Sequence, residues 1–225
     1  HFVDWLVGAG QRVWQLLPTN PVGPGNSPYQ SASAFAGSEL MVALEPLVEH
    51  GWLAPFEPPW LDRHRVDWAR TVPWRLHKLR EAAVGFFAGA AAADREAFDA
   101  WCTREALWLD DYALFMALEQ AHRERGGSGG WWAWPAALAA REPAALAAAA
   151  REHAAEIGFW RFAQWCFAQQ WAALHAYARQ RGVSVIGDLL ISTLIQDAKP
   201  GLNQVRLPVG RDWGNGAYVV ATLLR

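Results

Sequence analysis

The chain has 225 residues, enough for one large domain or two small ones, and 52% of them are apolar, so it can bury a substantial core. Its 20 basic and 22 acidic residues leave a net charge of −2, which gives no reason to expect nucleic acid or an acidic membrane as a partner. No window approaches the ~18 consecutive apolar residues of a membrane-spanning helix, and the chain does not start with the basic region of a signal peptide.

The first predicted elements are a helix and a strand. "HFVDWLVGAGQR" has an apolar face and ends in glycines, which is typical of an amphipathic helix and its end. "VWQLLP" is a short apolar run that stops at Pro18, and it predicts a buried strand. The loop Thr19–Ala34 comes next; it carries no charge and is crowded with small and hydroxyl residues.

From about Leu40 the pattern becomes helical and stays so up to Gly182. The predicted helical segments are residues 38–51, 71–90, 94–126 and 134–182, the last of them interrupted at Pro143. In the last segment, steps of three and four residues predict a core-facing stripe of Phe159, Phe162, Ala163, Cys166, Phe167, Gln170, Leu174 and Tyr177. "VSVIGD" then predicts a second strand, which is followed at once by Asp188.

The long helical stretch between the two strands indicates the fold class. A crossover between parallel strands needs only about a dozen residues, so the excess predicts an inserted helical subdomain. We expect an α/β fold: a partial parallel (β/α)8 TIM-type barrel with a large inserted, mainly helical subdomain. The predicted boundaries are 1–45 for the first barrel segment, 46–157 for the inserted subdomain, and 158–225 for a barrel helix, a strand and a divergent tail.

Two candidate site residues follow from this fold, because the carboxyl ends of barrel strands carry the chemistry. Asp188 is a carboxylate at the end of an apolar strand, although it also suits an ordinary turn or helix cap. Tyr29 follows Pro28 and could stack on a neutral polyhydroxy ligand, although an ordinary surface loop also fits. The hydroxyl and amide donors around it are Asn26, Ser27, Gln30 and Ser31.

Other chemistry is not indicated. The histidines are scattered without metal-ligand spacing, so we expect no metal site. "GGSGG" lies between helices and predicts a linker rather than a phosphate loop. Cys102 and Cys166 lie in helical segments and suggest free thiols of a reducing compartment, which favours a cytoplasmic location. Of the 15 Trp residues, we expect most to pack in the core rather than to stack on a ligand.

Two blocks resemble the 4-α-glucanotransferases, also called amylomaltases or disproportionating enzymes, a family of the α-amylase-like clan. The first is "GQRVWQLLPTNPVGPGNSPYQSASAFAG", which matches a W-Q-x-L-P strand followed by G-x-S-P-Y-Q-S-x-S-A-F-A-G. The second, "WPAALAAREPAAL…EIGFWRFAQWCFAQQWAALHAYARQRGVSVIGD", matches W-P, R-x-P, F-x-Q-W-x-F-x-x-Q-W and a final I-G-D. The spacing between the blocks suits the inserted helical subdomain of that family.

The resemblance implies a retaining transglycosylase that acts on α-1,4-glucans and malto-oligosaccharides, with glucose as an acceptor and no metal or organic cofactor. It implies that Tyr29 stacks on the sugar at the cleavage site and that Ser27 and Gln30 bind substrate. Asp188 corresponds to the family's I-G-D aspartate, a supporting carboxylate of the active site. The loop would be uncharged and rich in hydroxyl groups because its ligand is a neutral sugar.

The resemblance also implies that parts of the active site lie elsewhere. The family's nucleophile Asp, its acid/base Glu and a third essential Asp lie on later strands, and none can be matched to a residue of this chain. We therefore expect a truncated chain that is inactive by itself. Two alternatives from other classes stay open: a non-catalytic carbohydrate-binding module that uses the Tyr29 loop, and a helical interaction protein built on residues 40–181.

Overall fold

The computed structural model describes residues 1–23, 26–29, 31–57, 65–128 and 130–188. Its helices and strands in chain order are α1 (Phe2–Gly8), β1 (Val13–Gln15), α2 (Glu45–Glu49), α3 (Trp68–Gly89), α4 (Ala92–Glu124), α5 (Ala136–Ala139), α6 (Pro143–Glu152), α7 (Ala154–Gln180) and β2 (Ser184–Ile186). Single 3-10 turns lie at Glu39–Met41 and Trp131–Ala133. The predicted substrate residue Gln30 and the predicted tail after Asp188 lie outside the described residues.

The two predicted strands pair in parallel, as expected for an α/β unit. Val13 pairs with Ser184, and the register continues to Gln15 opposite Ile186. The backbone N–H of Leu16 extends the ladder by donating to the Ile186 carbonyl at 2.9 Å. Both strands are shorter than their apolar runs, and the described part of the chain contains a two-stranded sheet. The eight-stranded barrel and the domain boundaries therefore stay predictions.

An aromatic core holds the long helices together. Phe86 of α3 and Phe162 of α7 are fully buried, with ring centroids 5.1 Å apart. Trp52 meets Phe86 edge-on at 4.9 Å, and Trp165 lies 5.3 Å from the same ring. Rings of this size bury much apolar area in a few contacts, so this cluster is a large part of what stabilises the helical part. The buried tryptophans are Trp52, Trp101, Trp134, Trp160 and Trp165.

The predicted helix over residues 38–51 is wrong in its first half. The chain forms a 3-10 turn at Glu39–Met41, becomes extended at Val42, and turns helical again only at α2. Pro46 explains the break, since proline has no N–H to donate to the Val42 carbonyl and is tolerated only in the first turn of a helix. The Val42 carbonyl instead accepts a hydrogen bond from Arg75 at 2.5 Å.

The predicted helix over residues 134–182 divides into three helices. The break at Pro143 was expected, and a second one at His153 separates α6 from α7. The predicted stripe is buried from Phe159 to Cys166, but Tyr177 is exposed. Gln164 is buried as well, although it lies off the predicted stripe, because its side chain lies against the backbone of Gly37.

A second, smaller apolar cluster joins the sheet to the helices. Its buried members are Val3, Leu6, Ala178 and Val183. Gly182, with a φ of +74°, takes a left-handed conformation that ends α7 and directs the chain into β2. The carboxyl end of α7 thereby fixes where β2 begins and where Asp188 lies.

The open side of the sheet carries exposed apolar residues. Val13 and Ile186 are each about half exposed on the same face, and Leu17 is 63% exposed just beyond β1. A groove of about 680 Å³ lies between β1 and α7, with Trp14 and Trp171 among its lining residues. Within the described residues each strand has one edge that no other strand covers.

We expect Gly85→Ala to lower the free energy of unfolding by about 2 kcal/mol, because overpacking forces backbone shifts. A Cβ on Gly85 would lie 2.1 Å from the carbonyl oxygen of Trp52. Gly89 ends the same helix with nothing within 4 Å of its Cβ position, so Gly89→Ala is the matched control and should be neutral or stabilising. Urea unfolding measures both variants, and equal midpoints would contradict this packing role.

We also expect the chain to self-associate through its sheet, because an uncovered strand edge is a template for pairing with another chain. Sedimentation velocity over a range of concentrations should show species larger than the monomer. Val13→Lys should shift the distribution toward monomer, whereas Leu107→Lys, at an exposed apolar residue of α4, should not. A monomer at every concentration would contradict the expectation.

Candidate substrate-binding site

The strand pairing brings together the two residues that the sequence singled out. Parallel strands place their carboxyl ends at one edge of a sheet, and the loop after β1 and the residues after β2 meet there. The Tyr29 hydroxyl donates a hydrogen bond to Asp188 Oδ2 at 2.7 Å, although 159 positions separate them in the chain. Tyr29 and Asp188 thus form one polar unit at the strand ends.

The hydrogen bond changes the ionisation of the tyrosine. It raises the pKa of the Tyr29 phenol above its ordinary value, with smaller contributions from desolvation and from the negative charge of Asp188. The phenol therefore keeps its proton to a higher pH than a free tyrosine does, and it stays a donor to the carboxylate. This bond fixes one end of the aromatic ring beside Asp188.

Ser27 shapes the turn that presents Tyr29. Its hydroxyl oxygen accepts a hydrogen bond from the backbone N–H of Tyr29 at 3.3 Å, and its carbonyl accepts one from Gly23 at 3.0 Å. A serine hydroxyl that accepts a bond still has a proton to donate, so the same group could also serve a ligand. Gln30, the third predicted substrate residue, lies outside the described residues, so its role stays a prediction.

Two serines further along the loop bond to the loop itself. Ser31 Oγ donates to the Ser33 carbonyl at 2.9 Å. Ser33 Oγ accepts from the backbone N–H groups of Phe35 and Ala36, at 3.1 Å each. Such serine turns supply hydrogen bonds to the backbone of an irregular segment. These hydroxyl groups are therefore explained by loop folding, and not only by a neutral ligand as the sequence suggested.

Asn20 is a loop-forming residue that sequence reasoning missed. Its Nδ2 lies 3.2, 3.0 and 2.9 Å from the carbonyl oxygens of Ser33, Ala34 and Ala36. The side-chain amide of Asn20 thereby holds the far end of the loop close to its beginning. The available signal was an amide residue in a proline-rich stretch, where the backbone lacks donors and side chains must supply the hydrogen bonds.

The rest of the described chain offers little other chemistry. None of its helices is long and apolar enough to cross a membrane, and none of its His, Cys, Asp and Glu residues form a group of three suited to a metal ion. Both cysteines are free, and burial raises the pKa of Cys102 to about 11 and that of Cys166 further. Thiols of this kind are unreactive near neutral pH.

Fold and site together define an α/β protein with a polar site at the carboxyl ends of parallel strands. The profile of glycoside hydrolase family 77, described as 4-alpha-glucanotransferase, matches residues 1–196. The chain belongs to this family.

Similar proteins agree with that membership. The 4-alpha-glucanotransferase of Thermus thermophilus is 47% identical over 145 residues, which is 64% of this chain and 28% of that protein. The one of Synechocystis is 38% identical over 149 residues, 65% of this chain and 29% of that protein. An amylomaltase of Streptococcus agalactiae, solved in complex with acarbose, superposes with a TM-score of 0.76 at 30% identity and covers 84% of this chain and 38% of its own. This chain thus spans less than two fifths of each.

We expect Asp188→Asn to lower the pKa of Tyr29 toward the ordinary value, because the charged acceptor that holds its proton is gone. A pH titration followed by NMR of ¹³Cζ-labelled tyrosine measures this, with Tyr29→Phe to assign the resonance. Tyr177 is the internal control, since its own raised pKa comes from a hydrogen bond to Asp4 and should not change. An unchanged Tyr29 titration would show that the two side chains are not bonded in solution.

Proposed function

We propose that the chain is part of a 4-α-glucanotransferase, which transfers a segment of an α-1,4-glucan to the 4-hydroxyl of an acceptor sugar. Malto-oligosaccharides would be donors, and glucose would be an acceptor. Family membership supports this activity, and so does the likeness to an amylomaltase that binds acarbose. The hydrogen bond between Tyr29 and Asp188 is the observation in this chain that carries the proposal.

In this proposal the Tyr29 loop binds the sugar near the bond that is cleaved. The tyrosine ring offers a flat apolar face to a sugar ring. Asp188 holds the tyrosine ring in place by accepting a hydrogen bond from the Tyr29 hydroxyl. Ser27 and Gln30 would add hydrogen bonds to the sugar hydroxyls. The loop carries no charge, which suits a neutral ligand.

The reaction would be a retaining double displacement. A carboxylate attacks the anomeric carbon while a carboxylic acid protonates the oxygen of the leaving sugar. The acceptor 4-hydroxyl then gives its proton to the conjugate base of that acid and attacks the same carbon, which releases the first carboxylate. We assign neither group to this chain, because the resemblance to the family implies that both lie on later strands. Asp188 would act as a supporting carboxylate.

The wider setting is also a proposal. The parallel pair β1 and β2 would belong to a (β/α)8 barrel, with residues 46–157 as its inserted helical subdomain. We place the enzyme in the cytoplasm, which the two free cysteines support. The comparisons favour neither a carbohydrate-binding module nor a helical interaction protein, because the family profile spans the loop, the helices and β2 together.

Maltotriose disproportionation, followed by glucose release, tests the proposal. We expect no activity from the 225-residue chain and clear activity from a protein extended by the flanking coding sequence. In the extended protein, Tyr29→Ala should lower kcat/KM about tenfold or more, equivalent to at least ~1.4 kcal/mol of transition-state stabilisation.

Tyr29→Phe is the matched control, because it keeps the aromatic face and removes only the bond to Asp188. It should retain more activity than Tyr29→Ala. A folded but inactive extended protein would refute the proposed activity. Turnover by the 225-residue chain alone would refute the assignment of the catalytic carboxylates to later strands.

A further inference from the structure

Two glutamines of α7 bind backbone in the same way. The Gln164 side chain accepts from the Gly37 N–H at 2.8 Å and donates to the Gly37 carbonyl at 2.8 Å. Gln170 does the same with Ala43, at 2.7 and 2.9 Å. Each amide thus makes the pair of hydrogen bonds that a neighbouring β-strand would make with that residue.

The two hydrogen bonds between Gln164 and Gly37, called the Gln164 clamp below, lie in a tightly packed place. Gln164 is 1% exposed, so the Gly37 backbone groups that it pairs would be left buried and unsatisfied without it. Gly37 also has no room for a side chain, because a Cβ there would lie 2.0 Å from the ring of Phe167. The chain is therefore fixed at Gly37 both by hydrogen bonds and by close packing.

In the structure the loop that carries Tyr29 extends beyond the predicted residue 34, and Gly37 is its far end. The neighbouring Ser38 N–H donates to the Thr19 carbonyl at 2.8 Å and closes the base of the loop. Asn20, next to Thr19, contacts three carbonyl oxygens within residues 33–36. A displacement of the Gly37 backbone would therefore also displace both ends of the loop.

The same helix positions the partner of Tyr29. The carboxyl end of α7 turns at Gly182 into β2, and Asp188 follows two residues beyond that strand. Gln164 thus connects the loop that carries the hydroxyl donor to the helix that leads to the carboxylate acceptor. Ala43, the residue that Gln170 holds, lies beyond the closed base of the loop.

We propose that Gln164 is a positioning residue, whose amide sets the contact between Tyr29 and Asp188 by holding the end of the Tyr29 loop on α7. Gln170 makes the equivalent bonds outside the loop and stabilises the fold without setting this contact. That the loop binds sugar rests on the proposed function, whereas the positioning itself is measured without sugar. Failure of the maltotriose assay would therefore leave this inference intact.

The test is the NMR titration of ¹³Cζ-labelled tyrosine in the 225-residue chain, with Tyr29→Phe for assignment. We expect Gln164→Ala to lower the pKa of Tyr29 toward its ordinary value, because the loop end is released and the bond to Asp188 is populated less. The matched variant Gln170→Ala should leave the Tyr29 titration unchanged. Thermal unfolding of both variants measures how much stability each substitution removes.

An unchanged Tyr29 pKa in folded Gln164→Ala, or an equal shift in both variants, would overturn the proposal. If Gln164→Ala does not fold, Gln164→Met replaces it, since methionine keeps the buried volume without the two hydrogen bonds. If neither folds while Gln170→Ala does, Gln164 serves the fold as a whole and the positioning role is wrong.

Discussion

The parallel pairing of β1 with β2 is the contact on which the site depends. Each strand has three residues, and so short a pair is not stable alone in water. It is held by the small apolar cluster that joins α1, the end of α7 and Val183. Because the strands run in the same direction, their carboxyl ends coincide, and only then can Tyr29 meet Asp188.

Helix α7 transmits the stability of the helical core to this site. Its first half lies in the aromatic cluster around Phe86 and Phe162, where most of the apolar area is buried. Its second half packs against the sheet and leads into β2. A 27-residue helix that is anchored in a dense core is a rigid support, so a side chain such as Gln164 can fix a distant loop.

The described residues of the Tyr29 loop show how side chains hold an irregular segment. Within its described residues, several backbone groups are bonded to side chains, chiefly those of Asn20 and Ser33. These groups lie within one segment, so their effect is local. Gln164 adds a long-range amide clamp at its end. Hydrogen bonds of this kind lower the conformational entropy that a loop would lose on binding a ligand.

Local signals in the sequence were sufficient for much of this molecule. Periodicity predicted the long helices and both strands, and a carboxylate after a strand and a tyrosine after Pro28 indicated the site. Tertiary structure alone decided that Val42 is extended and that Gln164 clamps Gly37. The reason is that glutamine has no sequence signature for a partner 127 positions away; only the packing of α7 brings that backbone within hydrogen-bond reach.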